Sequence, residues 1–487
     1  MGKILSLLLL FCTAALPAYA GEFNLSGYLK NETALFLHDD QVAKNKNIFQ
    51  ISGEYKVNEN WAMFVSGKYW YDAAYDVYDR WDKAQYYMGH VQRVDYLRDC
   101  YIDYTSDQLD VRLGRQQVVW GQADGIPILD RVNPFDATEY VLQDMVDLRI
   151  PLWMANIKYS PKLNSTLQLL IIPEFEQSTA APPGAPFTFR AYKLFNDFKT
   201  MWETDPGVIE GLPLFARNPI LTNIYYPAKQ FKNSKFGVQW QDKIGDWEYT
   251  LNYLYGYDYL ARTFNEGAYV DGATVIPLPP PAPPIVIPHI GLDYSRRFKR
   301  VQMVGGSINH TFTREGPLQG ITLRGDAAVY INEPTSYGDV SSGASAGVNR
   351  WNNVFWLMGL DKAIFTKWLV SFQFAQYIME HDDPGVAEPV GVNYQTMNSS
   401  TSGAQDAVDN IFTLKIATSF MYDRIKPEVL WSFTDDSQGR INPKITYEIR
   451  DNLWLTLGSN LFYGDEKDSN GQFSNCKEIY TNLKLTF

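Results

Sequence analysis

The last thirteen residues, 475–487, read Asn-Cys-Lys-Glu-Ile-Tyr-Thr-Asn-Leu-Lys-Leu-Thr-Phe. Every second residue counted back from the end belongs to one mainly apolar face, which comprises Phe487, Leu485, Leu483, Thr481 and Ile479. This period of two indicates a β-strand with one apolar and one mostly polar face. An apolar last strand that ends on an aromatic residue is typical of a transmembrane β-barrel, in which it pairs with the first strand and removes the sheet edge. The alternative is an ordinary terminal strand of a soluble sandwich.

The first twenty residues have the pattern of a secretory signal peptide. Lys3 provides a positive start, a leucine-rich run spans residues 4–16, and Ala18-Tyr19-Ala20 provides a cleavage pattern. We therefore expect residues 1–20 to be removed and residues 21–487 to form one domain. No later stretch is an uncharged apolar run of about 18 residues, so no transmembrane helix is predicted.

Composition agrees with a large barrel and restricts the possible partners. Aromatic residues make up 15% of the chain, which is enough for aromatic belts at two membrane interfaces. The formal net charge of -12 argues against a nucleic-acid partner. Beyond the signal peptide the cysteines are Cys100 and Cys476, far apart and without a C-x-x-C-H motif. Neither a disulfide framework, nor a haem or other cofactor, nor a metal site is predicted.

Apolar–polar alternation predicts an all-β chain: a transmembrane, antiparallel, up-and-down β-barrel of about eighteen strands, with sixteen as the alternative. The predicted strands are residues 23–37, 47–57, 61–71, 96–104, 109–118, 153–160, 166–173, 235–241, 246–257, 298–312, 318–331, 351–363, 365–378, 409–422, 425–433, 440–449, 453–462 and the final stretch. Short turns alternate with long loops near residues 72–93, 119–152, 174–232, 258–297, 332–350 and 379–408. With a periplasmic amino terminus, all of these long loops are extracellular, and we expect short helices in them. A soluble two-sheet sandwich is disfavoured because charged residues recur on the polar faces of successive strands.

The polar faces of the strands provide the candidate pore-lining residues, because a membrane barrel turns its apolar face to lipid and its polar face to the lumen. These candidates are Asp99, Asp103, Asp110, Arg112, Arg115, Arg324, Asp326, Lys415, Lys426, Glu428, Lys444, Glu448 and Lys484. Walls of fixed charge select ions and polar solutes in pores. The alternative is that the charges only solvate the wall and pair across strands.

The most specific internal stretch lies between Val111 and Pro151. It contains Leu113-Gly114-Arg115-Gln116, then Trp120-Gly121, Val132-Asn133-Pro134-Phe135-Asp136 and Leu148-Arg149-Ile150-Pro151. Alternation breaks at Gly114, so that either Arg115 lies above the hydrocarbon or a bulge turns it inward. Asn133 and Pro134 predict the start of a short helix, as N-cap and first residue.

Residues 119–152 are therefore expected to fold into the barrel mouth as a constriction loop. A helix packed on the outer rim is the alternative. The candidate residues of this constriction are Trp120, Asp130, Arg131, Asn133 and Asp136, with Trp120 near the outer membrane interface.

Over residues 108–160 the chain resembles a widespread family of Gram-negative outer-membrane barrel proteins of unknown function. Its Leu-Gly-Arg-Gln segment is also similar to porins for alginate export and to other large specific porins. The strand that ends at Phe487 resembles the signature that the barrel-assembly machinery recognises. The resemblance implies a barrel in outer-membrane lipid, a channel for a small solute, and an inner-membrane or periplasmic export partner. It assigns no solute and no site residue.

Two long loops carry further patterns. Residues 190–203, within the loop 174–232, have the spacing of an amphipathic helix. Residues 276–288, within the loop 258–297, contain seven prolines and no charge. Such a run cannot be a barrel strand and predicts a polyproline-like arm or spacer.

The predicted function is an outer-membrane channel for small or amphipathic solutes, hydrophobic ones included, in a protein that is not an enzyme. One alternative is a barrel sheath or scaffold around a periplasmic partner, such as a multihaem cytochrome or an export complex. The remote alternative is an outer-membrane hydrolase. Its candidate pair, Ser307 and His310, has opposite strand parity, so that the two side chains face opposite sides of the sheet.

Overall fold

The computed structural model describes residues 21–39, 41–77, 92–181, 185–190, 207–209, 212–217, 221–277, 279–281, 283–339, 344–365, 367–380, 391–393, 398–400, 408–466 and 468–487. The predicted signal peptide, residues 1–20, lies outside these ranges, as does most of the predicted helix 190–203. In the described part of the chain, no helix is both long enough and apolar enough to cross a membrane.

The main element is a sheet of eighteen antiparallel strands, numbered here β1 to β18 in chain order. Their bounds are Glu22–Phe36 (β1), Val42–Lys56 (β2), Trp61–Asp72 (β3), Gln92–Thr105 (β4), Leu109–Gln116 (β5), Leu152–Lys162 (β6), Ser165–Ile172 (β7), Lys235–Ile244 (β8), Trp247–Tyr257 (β9), Arg300–Thr311 (β10), Ile321–Asp339 (β11), Ala344–Ile364 (β12), Trp368–Met379 (β13), Val408–Ala417 (β14), Ile425–Thr434 (β15), Gly439–Arg450 (β16), Leu453–Tyr463 (β17) and Glu478–Thr486 (β18). Each strand pairs with its neighbours in the chain, and β1 also pairs with β18. The predicted eighteen-stranded antiparallel β-barrel is therefore confirmed.

The barrel closes at the carboxyl terminus. The backbone N–H of Gly27 donates to the carbonyl of Phe487 at 2.9 Å, and the N–H of Phe487 donates back at 3.0 Å. The Phe487 ring lies so close that a Cβ atom at residue 27 would be 2.7 Å from it. Glycine at this position therefore leaves room for the last aromatic ring at the seam between β1 and β18.

The two faces of the sheet differ in the way that a membrane barrel requires. On the outer face, Leu113 and Leu251 are 52% and 61% exposed. On the inner face, the polar side chains of Gln168 and Asn252 are buried. An apolar outer face, with polar side chains among those that face inward, differs from a soluble sandwich, whose outer faces are polar.

All long connections leave one end of the barrel, called here the loop end; the other is the turn end. Two predicted loops need correction. Most of 332–350 is strand, because β11 extends to Asp339 and β12 begins at Ala344. Residues 258–297 are mainly a hairpin of Arg262–Ile276 and Ile285–Arg297. The proline-rich run is the tip of this hairpin and lies outside the barrel wall as predicted, although residues 285–288 are strand rather than polyproline.

The remaining elements lie in the loops and are short. The strands are Asp136–Ala137, Thr179–Ala180, Gly207–Ile209, Leu212–Arg217, Leu221–Tyr225, Gly391–Asn393 and Asn398–Ser400, and the helical turns are Ala74–Val77, Met145–Leu148, Phe231–Asn233 and Gly471–Cys476. Ile285–Arg297 joins Leu212–Arg217, Leu221–Tyr225 and Arg262–Ile276 in a small sheet at the loop end.

Candidate functional site

The connection between β5 and β6, residues 117–151, folds into the barrel instead of packing on its rim. The first part, residues 117–133, is called here the anchored half, and its buried apolar side chains are Val118, Trp120, Ile126, Ile128, Leu129 and Val132. They pack on inward-facing apolar residues of β6 to β14, among them Leu170, Leu254, Tyr330, Phe355 and Tyr377. Since burial of one large apolar side chain is worth roughly 1.5–3 kcal/mol, these contacts hold the anchored half firmly against one side of the lumen.

Trp120 lies inside the barrel and is only 2% exposed. Its indole N–H donates to the side-chain oxygen of Gln168 at 2.9 Å. Its ring fills the space over Gly237, where a Cβ atom would come within 2.9 Å. The prediction that Trp120 lies near the outer interface is therefore wrong, because the inner wall offers both a hydrogen-bond partner and a gap for the ring.

Asn133 fastens the base of the loop. Its side-chain oxygen accepts the N–H of Val118 at 2.9 Å, and its side-chain N–H group donates to the carbonyls of Gln116 and Ile150 at 3.2 and 2.9 Å. These three bonds join the ascending and descending arms where they leave β5 and enter β6. A buried amide with three partners is satisfied nearly as fully as its chemistry allows.

The predicted helix start at Asn133 and Pro134 is wrong. The backbone after Pro134 is extended, with a bridge between Phe135 and Arg149. Asp136–Ala137 pairs in parallel with Thr179–Ala180 of another loop. The side chain of Asn133 is engaged at the base of the loop and is not free to cap a helix. The one described helical turn of this loop is Met145–Leu148.

Arg324 and Asp326, on the inner face of β11, hold the anchored half by its backbone. The carboxylate of Asp326 accepts the N–H groups of Gln122 and Ala123 at 2.9 and 3.0 Å. Arg324 donates to the Gln122 carbonyl at 2.6 Å. Both residues face the lumen as predicted, but they bind the loop instead of lining open space.

The second part of the loop, residues 134–151, is called here the ion-paired half, because charged residues attach it to β2 and β3. Glu139 pairs with Lys44 at 2.6 Å and with Lys46 at 2.7 Å. Asp147 pairs with Lys68 at 2.5 Å. Burial alone would raise the pKa of Glu139, but the two lysines outweigh it and hold that pKa at about 2. For Asp147 burial also raises the pKa, and Lys68 lowers it below its ordinary value.

The other predicted constriction residues are engaged in contacts that hold the loop in place. Arg149 donates to Asp130 at 2.7 Å in a buried pair, and burial raises the pKa of Asp130 against the effect of Arg149. Arg131 pairs with Glu333 of β11 at 3.1 Å. Asp136 accepts two threonine hydroxyls at 2.8 and 2.9 Å. None of these residues lines the cavity described next.

A cavity of about 590 Å³ remains between the loop and the opposite wall. The loop contributes apolar side chains, including Ile126, Val141, Leu142 and Met145. The wall is formed by β14 to β18 with β1 and β2, and it is mostly polar. The space is therefore amphipathic, with an apolar side made by the inserted loop and a hydrophilic side made by the barrel.

Charged groups on this wall are of both signs. Asp409, Asp435 and Asp436 line the cavity near the loop end, and Arg440, Lys444 and Lys484 lie progressively deeper. Of the predicted pore-lining residues, Lys444 and Lys484 line this cavity.

Glu428 connects two predicted lysines across neighbouring strands. It pairs with Lys444 at 3.0 Å and with Lys415 at 3.6 Å. Lys426 and Glu448 share the inward parity of β15 and β16 but lie nearer the turn end, outside the cavity lining.

Three of the predicted residues of β4 and β5, Asp99, Asp103 and Arg112, have side-chain partners on the wall. Arg112 makes a two-point contact with Asp103, at 2.7 and 2.8 Å. Asp99 accepts the hydroxyl of Ser66 at 3.1 Å, and Asp110 is exposed. All of these residues lie away from the cavity.

Arg115 is not a pore-lining residue. The register of β5 continues through Gly114 without a bulge on either side, which places Arg115 opposite Trp153 on the outer face. Arg115 lies 3.8 and 3.9 Å from Glu174 and Glu176, just beyond the end of β7. The inward bulge is therefore wrong, and the alternative position at the loop-end rim is the one observed.

An aromatic cluster lies at the loop end, and its Tyr140 also lines the cavity. Tyr140 of the loop packs with Phe187 and Phe189 of the β7–β8 connection, Phe462 of β17 and Phe473 of the last connection. Tyr140 and Phe187 both have left-handed backbones, with φ of 55° and 61°. Such conformations are unfavourable for bulky residues and persist where surrounding contacts fix them.

Sequence reasoning missed the residues that bind the ion-paired half. The predicted second strand begins at Asn47 and leaves out Lys44 and Lys46, because Asn45 and Asn47 make the other face equally polar and hide the alternation. Arg98 points inward only because β4 is irregular where it pairs with Ser66–Lys68. It donates to a carbonyl of the inserted loop at 2.7 Å.

Comparisons with known proteins give one family match and several distantly similar solved structures. A family model described as "Protein of unknown function (DUF1302)" matches residues 37–472. No curated protein sequence matches. Similar solved structures include OccAB1 of Acinetobacter baumannii, at 9% identity and a TM-score of 0.48, covering 96% of each chain. Others are OpdK of Pseudomonas aeruginosa with vanillate, at 7% and 0.47, and a BenF-like porin from Pseudomonas fluorescens Pf-5, at 10% and 0.46; each covers 96% of this chain and 98% of the other.

Proposed function

The chain belongs to the family described as "Protein of unknown function (DUF1302)", and from its barrel we propose an outer-membrane channel for small or amphipathic solutes, hydrophobic ones included. The observation that carries this proposal is the amphipathic cavity of about 590 Å³ between the inserted loop and the polar wall. A volume of this size is within the usual range for a site that holds one small molecule. The apolar outer face and the closed edge support location in the outer membrane, with the loop end outside.

In this channel the two sides of the cavity have different tasks. Loop residues such as Val141 and Met145 provide contact with the apolar part of a solute. Arg440, Lys444 and Lys484 face its polar part. The similarity of residues 113–116 to alginate-export porins makes an anionic polysaccharide one solute to test. Export towards the loop end, with an inner-membrane or periplasmic partner, belongs to the same proposal.

The decisive experiment is single-channel conductance of the refolded protein in a planar bilayer. Residues 136–147 are replaced by a short Gly-Ser linker, which leaves the anchored half in place. Shortening the proline-rich hairpin tip, residues 279–283, serves as the control, because that tip lies outside the wall. We expect discrete openings of the parent, larger openings when the ion-paired half is removed, and no change in the control. Silence of both loop variant and parent, from barrels shown to be folded, would refute the channel.

Ion selectivity tests the charged wall. Reversing Lys415, Lys426 and Lys444 to Glu removes three positive charges near Glu428 and adds three negative ones. We expect the reversal potential in a salt gradient to shift towards cation preference, since fixed charges on a pore wall select ions. Lys367→Glu, in the exposed turn between β12 and β13, is the matched control. An unchanged reversal potential would mean that these charges only pair and solvate.

The two alternatives receive no specific support. A sheath around a periplasmic protein needs a wide lumen, and the inserted loop occupies a large part of this one. For a hydrolase, Ser307 would have to meet His310. Instead, Ser307 is bonded inside the wall to Thr250 at 2.7 Å, and His310 stacks outside on Trp247 with ring centres 4.3 Å apart.

A further inference from the structure

A cluster of cations lies on the outer surface at the loop end of β8 to β10, although the whole chain carries a net charge of -12. This basic patch consists of Lys232, Arg297, Lys299, Arg300 and Arg350. It is separate from the cavity, since none of these side chains lines that space. The patch is therefore a positive feature of the described surface that the channel does not use.

Arg300 is the fixed centre of the basic patch. It lies in register with Tyr257, at the first residue of β10. Its guanidinium donates to the Lys232 carbonyl and to the side-chain oxygen of Asn233, both at 2.9 Å, and to the hydroxyl of Tyr255 at 3.2 Å. All three acceptors are neutral, so they orient the guanidinium without cancelling its charge. A planar group held in this way is pre-organised for a phosphate oxygen.

Lys299 and Arg297 extend the patch along one aromatic ring. The Lys299 ammonium lies 4.7 Å from the centre of the Phe264 ring, and the Arg297 guanidinium 5.3 Å from it. Arg297 pairs with Glu266, whereas no carboxylate among the described residues lies within 4.0 Å of the Lys299 ammonium. The pKa of Lys299 is lowered by partial burial and then by the positive charges of Arg350 and Arg297. The electrostatic field around Lys299 is therefore positive, because the nearby carboxylate of Glu266 neutralises only part of the cationic charge.

The patch lies at the height of lipid headgroups. Trp247 begins the outer face of β9 at the turn end, and Tyr255 lies eight residues further along the same face. Eight residues of antiparallel strand span roughly 27 Å, which the usual strand tilt reduces to roughly 20 Å, close to the height of the apolar band of a barrel. Exposed rings of Tyr225, Tyr226 and Phe231 lie beside the patch. Aromatic rings at the interface with cations at its edge are the arrangement that meets lipid phosphates.

We propose that the basic patch centred on Arg300 and Lys299 binds the phosphate group of a phosphorylated lipid headgroup in the outer leaflet. This inference rests on the outer-membrane setting of the proposed function but not on channel activity. Arg300 and Lys299 donate to the phosphate oxygens, and the surrounding aromatic rings contact the sugar or acyl region next to it. Free phosphate offers the same chemistry to the cations but nothing to the rings, so the lipid is the expected occupant.

The test is native mass spectrometry of the full chain in detergent micelles, titrated with three probes. These are lipid A with two phosphates, the same lipid after dephosphorylation, and inorganic phosphate. The variant is Lys299→Gln with Arg300→Gln, and the matched control is Lys243→Gln at the opposite end of β8, where an exposed lysine pairs with Glu248 at 3.5 Å. Heat-modifiable migration in gels verifies folding of each.

We expect the diphosphorylated lipid to bind the parent and the control alike. The double variant should bind at least about tenfold more weakly, the loss expected for one charge-assisted hydrogen bond. Equal binding of the dephosphorylated lipid, or unchanged affinity of the double variant, would overturn the proposal. Complete displacement of the lipid by equimolar inorganic phosphate would overturn the choice of a lipid.

Conductance separates this inference from the channel. The double variant should conduct like the parent, because the patch lies outside the cavity. A parent that binds the lipid but never conducts would refute the channel and leave the lipid site standing. A parent that conducts but binds neither form of the lipid would refute the lipid site and leave the channel standing.

Discussion

Glu139→Gln should destabilise the docked position of the ion-paired half of the inserted loop while the barrel stays closed. The Glu139 carboxylate holds Lys44 and Lys46 at 2.6 and 2.7 Å. All three side chains are largely buried, at 16%, 16% and 9% exposure. The amide that replaces the carboxylate can accept a hydrogen bond, but it cannot neutralise two buried ammonium groups. The electrostatic attachment to β2 is therefore lost.

The size of the effect follows from burial. Breaking a buried ion pair by removal of one partner costs about 3–5 kcal/mol. The lower cost, about 3 kcal/mol, applies here because Lys44 keeps its ion pair with Glu32 at 3.1 Å. About 3 kcal/mol corresponds to roughly a 150-fold change in the ratio of undocked to docked loop. The same change at Asp144, which is 79% exposed and 3.6 Å from Lys30, should cost at most about 1 kcal/mol, as exposed pairs do.

Thiol labelling measures the undocked population. Leu148 is 2% exposed in the docked loop, so a cysteine placed there reacts only after the loop moves. In a background with Cys100 and Cys476 replaced by Ser, Glu139→Gln should raise the labelling rate of Leu148→Cys by about 150-fold. Asp144→Asn should raise it less than about fivefold. Equal rates in the two variants would refute the division of the loop into an anchored and an ion-paired half.

Three further outcomes are expected. Gly27→Val should prevent or weaken barrel closure, because a Cβ atom there would come within 2.5 Å of the Gln50 carbonyl oxygen and 2.7 Å of the Phe487 ring. The measurement is the yield of heat-modifiable folded protein, and a normal yield would contradict this tight packing. Trp120→Phe should destabilise the docked loop by about 1–3 kcal/mol, because the Gln168 side-chain oxygen loses a buried donor. Thermal unfolding in detergent measures this loss of stability, and an unchanged unfolding midpoint would contradict the prediction. The pKa of Glu139, about 2, lies below its ordinary value of 4.5, so its contribution to docking is complete above about pH 4.5 and is lost only as pH falls through about 2. The effect of Glu139→Gln on conductance, relative to the parent, should therefore be the same at pH 5 as at pH 7, and an effect that fades between these values would contradict the assignment.

The barrel could be predicted from sequence because its signal is local and repeated. Alternation in single strands identified the eighteen strands, and parity alone placed Lys444 and Lys484 on the inner face. The rule that inner faces are polar failed where the loop packs, since Tyr330, Phe355 and Tyr377 face inward and are apolar. The residues that pack on these side chains lie in the inserted loop, whose sequence has neither strand nor helix periodicity.

The attachment of the loop could not be predicted, because its partners are distant in the chain. Asp326 binds the backbone of a residue 204 positions away, and neither sequence neighbourhood indicates the other. Asn133 beside a proline has the local pattern of a helix cap, but its side-chain amide instead forms three hydrogen bonds that join the two arms of the loop. Local patterns at Gly114 likewise suggested a bulge that the continuous pairing with both neighbouring strands excludes.

The inserted loop also constrains the order of assembly. Its anchored half needs inner-wall residues as late in the chain as Ile411 of β14, and its ion-paired half needs Lys44 and Lys46 of β2. Both β2, near the start of the chain, and β14, late in the chain, must therefore be in place before the inserted loop can finish docking. A barrel still open between β1 and β18 would keep Tyr140 and its aromatic partners apart, so a docked loop is a mark of a completed barrel.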